Sequence, residues 1–269
     1  MSIPKTIHYC WFGGSPLPEL AQKCIASWKK YCPGYEIIEW NESNFDINIC
    51  TYTKEAYEAK KWAFVTDYVR LKVLYDYGGI YMDTDVEVLK PLDSLLQYEA
   101  VSGFESATQI PTGLIACRKR ASIIGELLQD YDNLHFKNDD GSYNLTTNVI
   151  RITNTLTKYG LEQNNTFQTV QGFSFLPKEY LCPKDLETGV ITITENTLTV
   201  HHFDGSWLSN EEKYTRELTA YFLKKYSYKT AHRIALVSAY TRYRGLFRMP
   251  FALLKLKVNN LRKKYNKQL

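Results

Sequence analysis

Residues 54–77, KEAYEAKKWAFVTDYVRLKVLYDY, read as one long helix, and the segment directly after it constrains the fold. Tyr57, Trp62, Val65, Val69, Leu71, Val73 and Leu74 give the helix a wide apolar face. Gly78-Gly79 ends it, and Ile80-Tyr81-Met82 then reads as a short buried strand closed by Asp83-Thr84-Asp85. A long helix running straight into a buried strand is the repeating step of an α/β sheet. Ligands of open α/β sheets bind beyond the carboxyl ends of the strands, which is where the two aspartates stand.

The remainder of residues 1–210 keeps this alternation. Residues 5–11 and 35–40 read as strands, with a helix over 17–31 between them. Further strands are expected near 99–105 and 112–117, helices over 121–136 and 143–159, an irregular polar stretch over 160–196, and a last strand over 197–203. From 211 onward the pattern is helical, over roughly 211–226, 229–245 and 250–265. The charge changes at the same place. Residues 211–269 hold 15 Lys and Arg against three Glu, whereas the 210 residues before them are net acidic. Two regions are therefore expected, an α/β domain over 1–210 and a basic helical segment over 211–269.

Six cysteines occur, none in a CxxC pair and none with zinc-ribbon spacing. The sequence opens without a secretory signal, so free thiols in a reducing, cytoplasmic compartment are expected. The chain lacks a run of about 20 apolar residues, so no membrane-spanning helix is expected.

Two carboxylates one residue apart repel, and a cation between them removes the conflict. Hard oxygen ligands suit Mg2+ or Mn2+, which complete their shells with phosphate oxygens and water. Gly79 permits close approach to the backbone at this point. Asp67 and Arg70 lie three residues apart and share a helix face. On their own they could be a surface ion pair; beside the aspartates, Arg70 could meet a phosphate or sugar hydroxyl and Asp67 could accept hydroxyl hydrogen bonds. Trp11, at the end of the first strand, is either core or a face for a base to stack on. His201 and His202 follow the last strand, and alternation lets only one of them point into a site as a metal ligand.

IPKTIHYCWFGG, WAFVTDYVRLKVLYDYGGIYMDTDVEVLKPLD and VHHFDGSW together resemble the DXD-containing retaining glycosyltransferases of the family 32 type. That group includes bacterial capsular polysaccharide transferases and yeast initiating mannosyltransferases, and it is distantly similar to the glucosylating domains of clostridial toxins. The resemblance covers residues 2–18, 60–95 and 198–208, is thin over 96–197 and is absent after 210. It implies a GT-A-like fold: a single Rossmann-type mixed sheet flanked by helices. It also implies roles for individual residues. Trp11 would stack on the nucleotide base, Asp67 and Arg70 would hold the donor sugar, and Asp83 would contact ribose or metal-bound water. Asp85 would ligate the metal, and Ser206 and Trp207 would close over the donor phosphates. The chain departs from its relatives in two places. Ser206 and Trp207 are adjacent where the toxins separate them by one residue, and Thr146-Thr147-Asn148 stands where many members carry Thr-Gly-Pro.

The expected function is metal-dependent, retaining transfer of a sugar from a nucleotide sugar to a polysaccharide or lipid-linked glycan. UDP-galactose, UDP-N-acetylgalactosamine or UDP-glucose is the favoured donor, with GDP-mannose as the alternative. A non-catalytic, cation-binding membrane module is the rival of another class. A nucleotidyltransferase would be expected to carry a basic phosphate loop, and Gly13-Gly14 has no basic neighbour. The basic segment is read either as a helical subdomain with a solvated face or as a dock for an anionic membrane at the cytoplasmic side. No nucleic-acid motif accompanies its charge.

Overall fold

The computed structural model describes residues 2–106, 108–186, 188–205 and 208–245. Its centre is a seven-stranded mixed sheet in the order β2-β1-β3-β6-β5-β8-β7. The strands are β1 (Thr6–Cys10), β2 (Glu36–Trp40), β3 (Gly79–Met82), β5 (Ala100–Gly103), β6 (Leu114–Cys117), β7 (Gln168–Val170) and β8 (Phe173–Leu176). β2, β1 and β3 run parallel, as do β5 and β8; β6 lies antiparallel to β3 and β5, and β7 antiparallel to β8. Two short strands, β4 (Val86–Val88) and β9 (Thr199–His201), form a separate antiparallel ribbon. This is the mixed sheet flanked by helices expected of a GT-A-like domain.

Each face of the sheet carries its own core. On β3, Ile80 and Met82 point into one core, with Cys24, Ile25 and Trp28 of α1 (Glu19–Tyr31). Tyr81 points into the other, with Val65, Val69, Val73 and Leu74 of α3 (Trp62–Tyr77). That is the period-two alternation of a strand covered on both sides. The second core also takes in α2 (Thr51–Glu58), α4 (Ser122–Gln129) and α5 (Asn148–Lys158). All six cysteines are free thiols, and five of them are buried.

Three expectations are corrected. The single helix over 54–77 is two helices, α2 and α3, broken where Lys60 adopts φ +55°. The stretch 160–196 holds β7, β8 and the short helix α6 (Lys178–Leu181). The helices over 121–136 and 143–159 shorten to α4 and α5, and the helix expected over 250–265 lies outside the described residues. α3 is buried almost all round, polar residues included, so its role in the core is larger than one apolar stripe suggested.

The chain divides into two compact units, the first holding the sheet and ending at Asp204. In the second, α7 (Asn210–Leu223) and α8 (Tyr228–Arg244) pack against each other. α7 opens with a capping box: the Ser209 hydroxyl accepts from the Glu212 N–H, and the Glu212 carboxylate accepts from the Ser209 N–H. Ala231, Ala235 and Ala239, spaced by four, are buried and present a small-residue face. Arg244 pairs with Glu211 at 2.9 Å, joining the last turn of α8 to the first turn of α7. No described helix is long and apolar enough to cross a membrane.

Candidate active site

Asp83 and Asp85 occupy the tight turn between β3 and β4, closed by the Val86 N–H on the Asp83 carbonyl at 3.0 Å. The β4–β9 ribbon then determines what meets them. In its register Val86 lies opposite His201, and the His202 N–H donates to the Asp85 carbonyl at 2.9 Å. This pairing spans more than a hundred residues and carries the His201 ring to the aspartates. His201 Nε2 lies 3.2 Å from Asp85 Oδ1. Asp83, Asp85 and His201 each offer a ligand atom, all within 4.8 Å of one another.

His202 points elsewhere. Its Nε2 lies 2.8 Å from Glu87 Oε2, and Glu87 also pairs with Lys23. Of the two histidines considered from the sequence, His201 joins the carboxylates and His202 does not.

The two carboxylates have separate supports. Asp83 faces the α3 side. Its Oδ1 accepts from the Tyr81 hydroxyl at 2.9 Å, and the Arg70 guanidinium reaches it at 3.1 Å. Asp85 accepts the Asp204 N–H on Oδ2 at 2.8 Å. Burial opposes the Asp85 charge, but the His201 ring and the Asp204 N–H outweigh it and hold the carboxyl below the usual carboxylate range. Burial likewise opposes a charged His201, and the adjacent Asp85 carboxylate reverses that, raising the ring's pKa well above its ordinary value.

Arg70 is 4% exposed, which overturns the surface-pair reading. All three of its nitrogens are engaged. Nε donates to the Thr66 carbonyl at 3.1 Å, and Nη1 donates to the Thr112 carbonyl at 2.7 Å and to Asp83. Nη2 donates to the Thr66 hydroxyl at 3.2 Å and lies 3.4 Å from Asp67 Oδ1. The guanidinium also sits over the Tyr81 ring, 4.7 Å from its centroid. The contacts of Arg70 are with the protein itself, where the sequence reading expects the donor. Its donors are committed within the protein, and it fixes Asp83 relative to α3.

Asp67, also buried, takes the Asn148 N–H on Oδ2 at 3.1 Å, while the Asn148 side chain donates to the Asp67 carbonyl at 2.6 Å. Asn148 is the first residue of α5, so the Asp67 carboxylate stands at a helix N-terminus. Burial nonetheless raises its pKa to about 6, against the lowering effects of Arg70 and the Asn148 N–H. Thr146-Thr147-Asn148, which departs from the family pattern, here forms the lead-in to that contact.

Trp11 follows β1, the parallel neighbour of β3, and so stands at the same end of the sheet as Asp83. It is half-buried, and its indole N–H donates to the Ser15 carbonyl at 2.5 Å. Gly79 is at the opposite end of β3. A side chain there would strike the Thr6 carbonyl at 2.6 Å and His8 Nε2 at 2.9 Å, so its glycine answers to the packing of β1 rather than to a ligand. Ser206 and Trp207 lie outside the described residues.

Several site residues had no sequence signal. Thr112 and Gly113, just before β6, supply carbonyls to Arg70 and, at 2.8 Å, to the Asp83 N–H. Glu105, just past β5, is raised above its ordinary pKa first by burial, and it feels both His201 and Asp83. Cys182 Sγ lies 3.8 Å from His201 Nδ1, and the Phe203 ring lies 4.0 Å from the His201 ring, centroid to centroid.

The donor set suits a hard divalent cation: two carboxylates and one imidazole, partly buried, with the remaining positions left to phosphate or water.

Comparison with known proteins agrees with the motif reading. Residues 18–102 match the family model described as "Glycosyltransferase sugar-binding region containing DXD motif". Inositol phosphoceramide mannosyltransferase 3 of Schizosaccharomyces pombe is 33% identical over 111 residues, covering 37% of this chain and 29% of that protein. Inositol phosphoceramide mannosyltransferase 1 of the same yeast is 30% identical over 105 residues, covering 35% and 31%. Subversion of eukaryotic traffic protein A of Legionella pneumophila is 23% identical over 172 residues, covering 51% and 26%. The chain thus spans about a quarter to a third of the length of these relatives. Among solved structures, the PaToxG glycosyltransferase has a TM-score of 0.41 at 24% identity, over 48% of this chain and 60% of that one. A galactosyltransferase complexed with donor and acceptor sugar analogs has a TM-score of 0.41 at 12% identity, over 85% and 95%. The matched segment contains Asp67, Arg70, Asp83 and Asp85, and over it the chain is similar to the DXD-containing sugar-binding region of glycosyltransferases.

Proposed function

We propose that the chain is a metal-dependent retaining glycosyltransferase that moves a hexose from a nucleotide sugar to a glycan or lipid-linked acceptor. The observation that carries this reading is the Asp83–Asp85 turn meeting His201 beyond the end of β3. Asp83, Asp85 and His201 would hold the cation, which when bound supplies positive charge against the diphosphate leaving group. The chain's own residues pre-position that site. Arg70 and Tyr81 hold the Asp83 carboxylate, and the Asp204 N–H holds that of Asp85. Such groups need no reorganisation as charge develops. Asp67, pinned by Arg70 and the start of α5, is placed to accept hydrogen bonds from donor hydroxyls. Trp11 presents a half-buried ring at the same sheet edge for the base. Retention proceeds by front-face substitution, which needs no protein nucleophile.

UDP-hexoses are the favoured donors on the motif reading, and the mannosyltransferase names of the yeast relatives lend weight to GDP-mannose. The second unit supports a membrane-facing acceptor. Between α7 and α8 it exposes Lys224, Lys225, Tyr226, Tyr228 and Lys229, a basic aromatic tip suited to an anionic bilayer surface.

A donor panel tests the reading. UDP-galactose, UDP-N-acetylgalactosamine, UDP-glucose and GDP-mannose are incubated with the protein and Mn2+ or EDTA, and nucleoside diphosphate release is followed. Release from one donor, abolished by EDTA and by Asp85→Asn, is expected. Cation binding without binding of any sugar nucleotide would favour the non-catalytic module instead.

A further inference from the structure

We infer that Gly113 is a positioning residue for the metal centre, holding His201 in register with Asp83 and Asp85. The inference rests on the metal-site reading above and extends it to a residue with no chemistry of its own. Two contacts meet at Gly113. Its carbonyl accepts the Asp83 N–H at 2.8 Å, which fixes the first aspartate's backbone. Its Cα lies against the imidazole of His201. A Cβ there would fall 2.7 Å from Cε1 and Nδ1 and 3.2 Å from Nε2. One residue thus touches both halves of the ligand set, which otherwise come from positions more than a hundred residues apart.

No positive φ demands glycine at this position, so the constraint is steric, and the object it excludes a side chain for is the His201 ring. Carbon atoms in ordinary contact are about 3.5–4.0 Å apart, so a methyl group here would push the ring by about 1 Å. Ligand distances in metal sites are held within about 0.2 Å, so that displacement removes His201 from the shell. The ring has little room to yield. The Phe203 ring packs against it at a tilt of 31°, with Phe203 held at φ +52°, and Cys182 lies against Nδ1.

The test is a thermodynamic cycle on the full chain with Gly113→Ala, His201→Ala and the double variant. Mn2+ affinity is read by electron paramagnetic resonance, and fold by thermal unfolding. Gly113→Ala should weaken Mn2+ binding about 10–100-fold, the range for residues that orient a ligand. His201→Ala should weaken it comparably, and the double variant should be no weaker than His201→Ala alone. If Gly113→Ala is destabilised, removing the ring in the double variant should restore the midpoint. Wild-type affinity in Gly113→Ala, additive losses, or no restoration would overturn the inference. The imidazole nitrogen signals of His201, recorded without metal, separate this from the function itself. They should shift in Gly113→Ala even if the wild type were to bind no Mn2+, an outcome that would sink the metal reading alone; unshifted signals would count against Gly113.

Discussion

Replacing Arg70 with Met should destabilise the protein strongly, and by an amount that depends on pH. The guanidinium is buried and faces two carboxylates, Asp67 and Asp83, and it also serves the carbonyls of Thr66 and Thr112. Met fills a similar volume but leaves those groups without their cation. Breaking a buried ion pair from one side costs about 3–5 kcal/mol. At about 2–4 °C per kcal/mol for a chain of this size, the midpoint should fall by roughly 6–20 °C. The pH dependence comes from Asp67, whose pKa burial already raises to about 6 with Arg70 present. Without Arg70 it rises further. A carboxyl whose folded pKa lies above its unfolded value contributes stability that is full below the unfolded pKa and is lost as pH rises through the folded one. The deficit of the Met variant should therefore be largest near pH 8 and shrink near pH 5, where Asp67 folds neutral. Urea unfolding of both proteins at the two pH values measures this. A deficit under about 1 kcal/mol, the scale of an exposed pair, would refute the buried-clamp argument. So would a deficit that grows on acidification.

Two further outcomes can be checked independently. The carboxyl carbon of Asp67 should titrate near pH 6 by nuclear magnetic resonance, and a midpoint near that of free aspartate would contradict the burial seen here. Reversing Lys224, Lys225 and Lys229 to Glu should release the protein from phosphatidylserine vesicles. Each lysine near the surface contributes about 1 kcal/mol, so the loss should exceed about 100-fold in co-sedimentation, and binding that survives would remove the tip from the membrane reading.

What the sequence made legible was local. Asp83 and Asp85 announced themselves because Gly78-Gly79 and an apolar strand precede them, and Asp67 and Arg70 because helix spacing puts them on one face. The choice between His201 and His202 was not legible. It depends on the register of β4 with β9, and β4 is three residues long with no signature of its own. Gly113 and Thr112 were invisible for a different reason. They act through carbonyls and through the lack of a side chain, which every residue or every glycine could offer. Helix spacing puts Asp67 and Arg70 on one face but does not tell whether that face looks outward to a ligand or inward to β3, where the guanidinium reaches Asp83. The break at Lys60 escaped because the apolar residues resume at Trp62 beyond it, and only three residues, one of them left-handed, separate α2 from α3.

The two aspartates are one residue apart and share a turn, but they lean on different parts of the fold. Two carboxylates this close need separate cations or a shared one. Asp83 has its own, Arg70, which cannot give up its proton and is anchored in α3. Asp85 has His201, whose charge depends on a proton that a metal ion can replace at Nε2. The pair is thus half permanent and half exchangeable. The permanent half sets where the site is, because Arg70, Tyr81 and the Thr112–Gly113 segment fix Asp83 to the sheet. On the proposed reading, the exchangeable half sets what the site would hold, because a divalent cation in place of the His201 proton would add one net charge where the diphosphate is proposed to lie. On the proposed reading, the first half holds the turn in place and the second half is where a divalent ion would bind.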